Sequence, residues 1–577
     1  MNVRNLKIGK IIGIISLFAL AVCFALLLPQ VRETVIRLSV QTLLHREVNY
    51  ADMWMSLVFI FSLRSIFVIL LIDFCTLTAK GRAICKTVAG SVVSTWRTTD
   101  WRAMYKPFFI MLGVYWLGIL SIIRANFHYI DDMGRIVDGS SYPYGFSRHV
   151  SNFLSALMHA DVHVTDISPL LQLLGAALLA GSSVLLVYIL CDGKIRTAGL
   201  LASVPLGLSP YFLECMSFKF DTPYMALSVL ASIFPFLFIR SKPAFTAWSV
   251  ASLLVMCMTY QASSGIYVML ALTVCFREWE NTDKTCREIL SLLGIAALSF
   301  GIAMLVFRVL LEKQFEDQYY VGTSMFPLPE LLPGVLANLK KYIMLINSDF
   351  GVVWKTLTGV VCLLFVCGRL KTGARKPLYA VPIATIVLML SGMVSFGVYS
   401  VLQQPLFEPR AMLGFGALLA MICICVTERC AKTGIISVLA LNWSLFVFAF
   451  SYGNALADQL RYTNFRTEIL LEDLSRLFPE KNLEDTPVQI KNAIGFAPSV
   501  KNIARRNPVI ERLVPQFLRE GNSMDAWSDY YLLQYFHWNA MPEKDDDFEA
   551  YRLPVALDSY YHTVRSDGER ILIVLKN

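Results

Sequence analysis

Two adjacent carboxylates, Asp131 and Asp132, sit in Phe127-His128-Tyr129-Ile130-Asp131-Asp132-Met133-Gly134-Arg135, just after an apolar stretch long enough to cross a bilayer. Two such charges at a membrane surface carry desolvation and repulsion costs, so proton transfer or ion binding is the first chemistry to ask of them. Arg135 lies four residues beyond Asp131, so a short helix would set both on one face with Asp132 alongside. A solvated or salt-bridged helix end is the bland alternative. Against it stands the density of the segment, where His128, Tyr129, Asp138, Arg148, His149, His159, Asp161 and His163 supply four of the chain's seven histidines. Their spacing matches no familiar metal-ligand pattern, so neither a metal nor any other cofactor is expected.

A second constellation is Glu214-Cys215-Met216-Ser217-Phe218-Lys219-Phe220-Asp221, which packs an acid, a base and another acid between aromatics in a short turn. Tyr260-Gln261 and Glu408-Pro409-Arg410 add an aromatic hydroxyl, an amide and a further cation at the ends of other apolar runs. Singly, Lys219 or Arg410 reads equally well as an interfacial anchor. Together they suggest a cavity where carboxylates face cations. That suits group transfer off a lipid phosphate: a carboxylate activates an acceptor hydroxyl while Arg or Lys stabilises the departing phosphate.

The elements that must position these residues are membrane helices. The chain is 56% hydrophobic and only 16% charged, with a mean hydropathy of +0.56, far more apolar than a soluble globular protein. Apolar runs fall near 8–28, 54–77, 107–123, 168–190, 197–213, 223–239, 245–260, 264–276, 289–311, 351–368, 377–395, 411–427 and 434–451, about thirteen spans. The 245–276 pair is short for a crossing. No small-residue cleavage site follows Leu28, so the first run reads as a retained anchor.

Lys80, Arg82, Lys86, Arg97, Arg102 and Lys106 share one loop, and Arg369, Lys371, Arg375 and Lys376 another; the positive-inside rule makes both cytoplasmic. Alternation then puts 124–167, 214–222, 312–350 and 396–410 on the outer face, with the N-terminus inside and the C-terminus outside. The net charge of +8 is accounted for by the inner loops, so no nucleic-acid partner is implied. Of 13 cysteines only Cys215 falls on the outer side, which argues against disulfides.

From about residue 455 the composition turns polar, as expected of a separate α/β domain. Pro487–Ile490 and Arg570–Leu575 read as strands, Ser566-Asp567-Gly568-Glu569 as the hairpin turn before the last, and 499–506 and 508–519 as helices. The aromatic cluster Trp527, Tyr530, Tyr531, Tyr535, Phe536, His537 and Trp538 reads as core, with stacking on sugar rings as the functional alternative. Three parts result: an N-terminal membrane extension (1–106), a helical membrane domain (107–454) and the C-terminal domain (455–577).

Tyr129-Ile130-Asp131-Asp132 with Arg135, Gly145-Phe146-Ser147-Arg148, the Glu214 to Asp221 turn, Met225-Ala226-Leu227-Ser228 and Tyr260-Gln261 resemble the bacterial GtrII-type O-antigen glucosyltransferases. The resemblance covers about 107 to 455 and extends to the tail; residues 1 to about 100 lie outside the pattern, and Ser147-Arg148 stands where the family has Gly-Arg. It implies a mainly α, polytopic GT-C-type fold in the bacterial inner membrane. It also implies an enzyme taking glucose or a related hexose from a polyprenyl phosphate on the periplasmic face and adding it to an O-antigen polysaccharide. Asp131 and Asp132 then hold the acidic position of the first outer loop, one of them as base. Arg135, Lys219 and Arg410, in that order, are expected at the phosphate, with Arg148, Glu214, Asp221, Tyr260 and Gln261 completing substrate binding. Inverting single displacement is the expected mechanism. Two other classes fit parts of the sequence: a lipid-linked sugar flippase, for which Arg64 and Arg308 within spans are the pointers, and a non-catalytic envelope-glycan scaffold using the tail.

Overall fold

The computed structural model describes residues 18–22, 50–140, 147–311, 324–370, 375–480, 486, 488–520, 531, 532, 535 and 552–577. Most of the expected first span lies outside these residues, as do Gly145, Phe146, Lys371 and, from the aromatic cluster, Trp527, Tyr530, Phe536, His537 and Trp538.

Among the described residues seven helices are long and apolar enough to cross a membrane, or eight if the bent pair Thr197–Leu208 and Pro210–Ser217 counts as one. The other seven are Trp101–Ala125, Leu170–Leu190, Cys286–Leu311, Val352–Leu370, Pro377–Val394, Pro409–Arg429 and Lys432–Leu477. These eight coincide with eight of the expected spans. The remainder differ for physical reasons. Thr222–Phe238 and Lys242–Cys257 are apolar but short; sixteen residues at about 1.5 Å each reach only about 24 Å of a hydrocarbon core near 30 Å. Ser264–Asn281 ends in Arg277, Glu278 and Glu280, too charged for lipid. The run at 197–213 is not straight: Pro205 and Pro210 each start a new helical segment, and the two halves meet at 60°. The span expected at 54–77 lies within the helix Tyr50–Leu77.

Pro409–Arg429 is the most enclosed helix, whereas Cys286–Leu311 and Pro377–Val394 are peripheral. Close packing also fixes the start of the acidic loop. A Cβ at Gly453 would lie 2.4 Å from the Ser121 backbone, so the Ala431–Leu477 helix can approach Trp101–Ala125 there only with glycine. Ser121 Oγ donates to the Ala449 carbonyl at 2.9 Å across the same seam.

The Ala431–Leu477 helix runs 47 residues without a break, through the boundary drawn at 454/455 and into the C-terminal part. There it packs on a four-stranded sheet of order β1-β4-β3-β2, formed by Val488–Lys491, Val555–Asp558, His562–Ser566 and Ile571–Leu575. The hairpin turn falls between β3 and β4 as expected, and β1 pairs parallel to β4. Arg466, on the long helix, donates to the Tyr561 and Lys576 carbonyls at 2.7 and 2.6 Å. Pro498–Arg506 is helical as expected, but of 508–519 only Ile510–Leu513 is. One hydrophobic core is continuous from Met111 to Leu575.

The loops sorted by charge separate to opposite ends of this bundle. At one end Arg277 pairs with Glu428 and lies 3.8 Å from Asp192, while Glu280 meets Arg369 at 3.3 Å and Arg429 at 3.0 Å. The other end holds the acidic pair and the sheet.

Candidate active site

The acidic loop starts where Asn126 caps the Trp101–Ala125 helix in the left-handed region (φ 48°). Four residues on, the chain turns into the expected short helix, Asp131–Asp138. Ile130, at φ 45° and ψ −103°, makes that turn. A β-branched residue in this conformation is strained by about 1–3 kcal/mol, a kind of strain concentrated at functional sites. The helix ends at Gly139 (φ 61°), whose N–H donates to the Arg135 carbonyl at 2.8 Å and where a Cβ would strike the His163 ring. Both carboxylates occupy the helix's first turn, where its positive end favours them.

The two differ sharply. Asp132 is fully buried, and its Oδ2 accepts the backbone N–H groups of Tyr129 (3.2 Å) and Lys219 (2.8 Å), tying the acidic loop to the Glu214–Asp221 turn. Its Oδ1 is buried with no hydrogen bond among the described residues. Burial pushes this carboxyl up to about 8, against the opposing pull of Arg135 and the Lys219 N–H and with a further push from Asp221. Asp131 is half-buried and takes part in no hydrogen bond or ion pair among the described residues, although it adds to the field at Arg410.

The cations are largely engaged. Arg135 gives both terminal nitrogens to Asp221, with Nη2 to Oδ2 at 2.8 Å, and lies over the Phe220 ring. Sequence spacing pointed Arg135 at Asp131; its partner is instead 86 residues away. Lys219, also buried, donates to Asn126 Oδ1 (2.6 Å) and Asp166 Oδ2 (3.0 Å). Burial alone would raise Asp166, but hydrogen bonds from His128, Ser168 and Lys219 hold it well below the usual carboxylate range. Arg410 donates from Nη1 to Glu214 Oε1 at 2.9 Å and from its backbone N–H to Oε2, with its guanidinium 5.3 Å from the Phe218 ring centre. Its side chain keeps 17% of its surface exposed. Arg148 lies 5.4 Å from the Tyr260 ring centre, and Tyr260 is buried with its hydroxyl unbonded among the described residues. Gln261 opens the short 3-10 turn after Tyr260, at the same end.

The histidines diverge rather than converge: His128 meets Asp166 and Tyr535, His149 the Leu311 carbonyl, His159 the Ser155 carbonyl, and the His163 backbone N–H bonds Asp161. Among the described residues no three His, Cys, Asp or Glu are grouped to hold a metal.

Sequence reasoning missed several members. Asp166 could have been suspected from its Asx turn ahead of Ser168-Pro169, where Oδ1 accepts the Ser168 N–H at 2.8 Å. Asp349, Tyr452, Arg512 and the Leu513 carbonyl carry no local signal. Tyr129 OH lies 3.2 Å from Glu214 Oε1 and 2.9 Å from the Leu513 carbonyl, and Tyr452 OH lies 3.3 Å from that same carbonyl and 2.8 Å from Ser217 Oγ. The C-terminal part thus reaches into the acidic end of the bundle. Tyr535 approaches His128 Nδ1 at 2.7 Å, and Tyr531 stacks on Phe517 in the core, so these two members of the aromatic cluster are packed inside.

A sequence model of the family described as Glucosyl transferase GtrII matches residues 120–421, a stretch that holds Asp131 through Arg410. The chain is also similar to an uncharacterised 55.3 kDa protein from the gtrB 5′ region of Salmonella phage P22, 22% identical over 434 residues that cover 73% of this chain and 88% of that protein. No solved structure matches it.

Proposed function

The chain belongs to the GtrII glucosyl transferase family, and from that premise we propose that it moves glucose, or a related hexose, from a polyprenyl phosphate to a lipid-linked O-antigen or similar surface polysaccharide. The reaction takes place on the periplasmic face of a bacterial inner membrane. The observation that carries this reading is the state of Asp131, a half-buried carboxylate without a hydrogen bond or ion pair among the described residues, in a site otherwise filled with engaged acids and cations.

Asp131 acts as general base. It takes the proton of the acceptor hydroxyl as that oxygen bonds to the anomeric carbon, while the bond from that carbon to the donor phosphate breaks. The sugar inverts in one displacement, and polyprenyl phosphate leaves with the bonding electrons. A glycosyl phosphate is already a good leaving group, so the protein mainly orients two substrates and neutralises the phosphate. Arg410, partly exposed beside the site, is ranked first for that role, and Arg148 beside Tyr260 second. Arg135 and Lys219 instead shape the site, through Asp221 and Asp166. Asp132 holds the acidic loop against the Lys219 turn and keeps its own proton at neutral pH. The basic residues gathered at the opposite end of the bundle support the orientation.

The test is transfer by the purified full chain in lipid, given polyprenyl-phosphate glucose and a defined acceptor glycan. Turnover with that donor is expected; turnover only with a nucleotide sugar would overturn both the donor and the placement of the site.

A further inference from the structure

We infer that Arg512 and Leu513, outside the family-matched stretch, form a clamp that positions the catalytic loop and the phosphate-binding arginine relative to each other, so the C-terminal part is a wall of the active site. The inference rests on the proposed roles of Asp131 and Arg410.

Its basis is where two neighbouring residues send their polar groups. Arg512 bonds Asp349 Oδ2 through Nη1 and the Phe407 carbonyl through Nη2. Asp349 is itself 2% exposed and takes a second bond from Tyr211 OH at 3.0 Å, so its charge is buried and depends on Arg512. Phe407 is three residues before Arg410, so Arg512 fixes the strand of chain that delivers Arg410. The next carbonyl, that of Leu513, accepts from Tyr129 OH and Tyr452 OH at 2.9 and 3.3 Å. Tyr129 is two residues before Asp131 and also lies 3.2 Å from Glu214, the partner of Arg410. One turn of chain therefore holds the base on one side and the cation on the other. Phe517, a few residues on, stacks on Phe127 at 5.3 Å between ring centres, locking the same turn against the start of the acidic loop. Displacing reacting groups by about 1 Å is enough to cost on the order of 100-fold in rate.

Arg512 is accordingly a positioning residue. Arg512→Gln is expected to lower kcat at least about tenfold per folded molecule, with the donor KM within about twofold. Arg512→Lys, which keeps a cation for Asp349, recovers most of the loss. Because Tyr129 bonds the Leu513 carbonyl and Arg512 anchors the same turn of chain through Asp349 and Phe407, Tyr129→Phe combined with Arg512→Gln is expected to be little worse than the more damaging single variant. A readout independent of catalysis is the 19F resonance of 3-fluorotyrosine incorporated at Tyr129 in the full chain. It shifts in Arg512→Gln and stays in place in Arg505→Gln, a change at an exposed arginine of the neighbouring helix. An unmoved resonance, or wild-type kcat per folded molecule in Arg512→Gln, would overturn the clamp even if donor and base are as proposed. If Asp131→Asn keeps full turnover while the resonance still shifts, the base assignment fails and the clamp stands.

Discussion

The two ends of the helix bundle use the same residue types to opposite effect. At the end away from the sheet every acid that joins the central cluster has a cation at hand: Glu428 with Arg277, Glu278 with Lys284 at 2.6 Å, and Glu280 between Arg369 and Arg429. Arg369 is enclosed there between the Phe365 and Phe276 rings. At the other end Asp221, Asp166 and Glu214 are similarly matched, yet Asp131 is left without a hydrogen bond or ion pair among the described residues. Paired charges fasten helices together. A carboxylate held in place beside pairs that are already complete is available to a substrate, and that distinction, rather than charge density, separates the site from the staple.

The comparison can be broken most severely at Asp131. Asp131→Asn is expected to lower kcat by about 10³-fold, within the usual range for loss of a general base, with unchanged yield and melting temperature. Arg410→Gln should lower kcat by about 10²-fold through the lost phosphate contact, measured in the same transfer assay. At the opposite end Arg369→Gln reverses the pattern: removing one partner of a buried pair costs about 3–5 kcal/mol of stability, read by denaturant or thermal melting, while kcat per folded molecule is retained.

Asp132 gives a smaller, pH-dependent effect. In the fold it holds its proton up to about pH 8, whereas its ordinary value is 3.8, so the folded state binds the extra proton between those values. Stability from this group is full below the lower value, declines as pH rises through the window, and is gone above about 8. Melting temperature measured from pH 5 to 8.5 should therefore fall in the wild type and fall less steeply in Asp132→Asn. Smallest of all, Lys284→Gln removes an exposed pair and should change stability by no more than about 0.5 kcal/mol.

Much of this contrast is legible in the chain itself. Loop charge, taken with about thirteen alternating spans, put Asp131, the Glu214 to Asp221 turn, Tyr260 and Arg410 on one face. Element type was legible where a long apolar run dictated it, and span number was less so, because Thr222–Phe238 and Lys242–Cys257 have the composition of crossings without the length. Pairings were not legible. Arg135 sits four residues from Asp131 but bonds Asp221, and the difference between Asp131 and Asp132 arises only when the Lys219 backbone closes on one of them. Arg512 lies in an ordinary amphipathic stretch, and nothing local connects it to Asp349, 163 residues earlier.

The most direct test compares Asp131→Asn with Asp132→Asn in one assay, as initial rates of sugar transfer from polyprenyl-phosphate glucose, each normalised to folded protein. Asp131→Asn should be the slower by about 100-fold, because Asn can still accept the Tyr129 and Lys219 N–H groups at position 132 but no group at position 131 can then take the acceptor's proton. Equal losses, or a greater loss at Asp132, would contradict the assignment of Asp131 as the base.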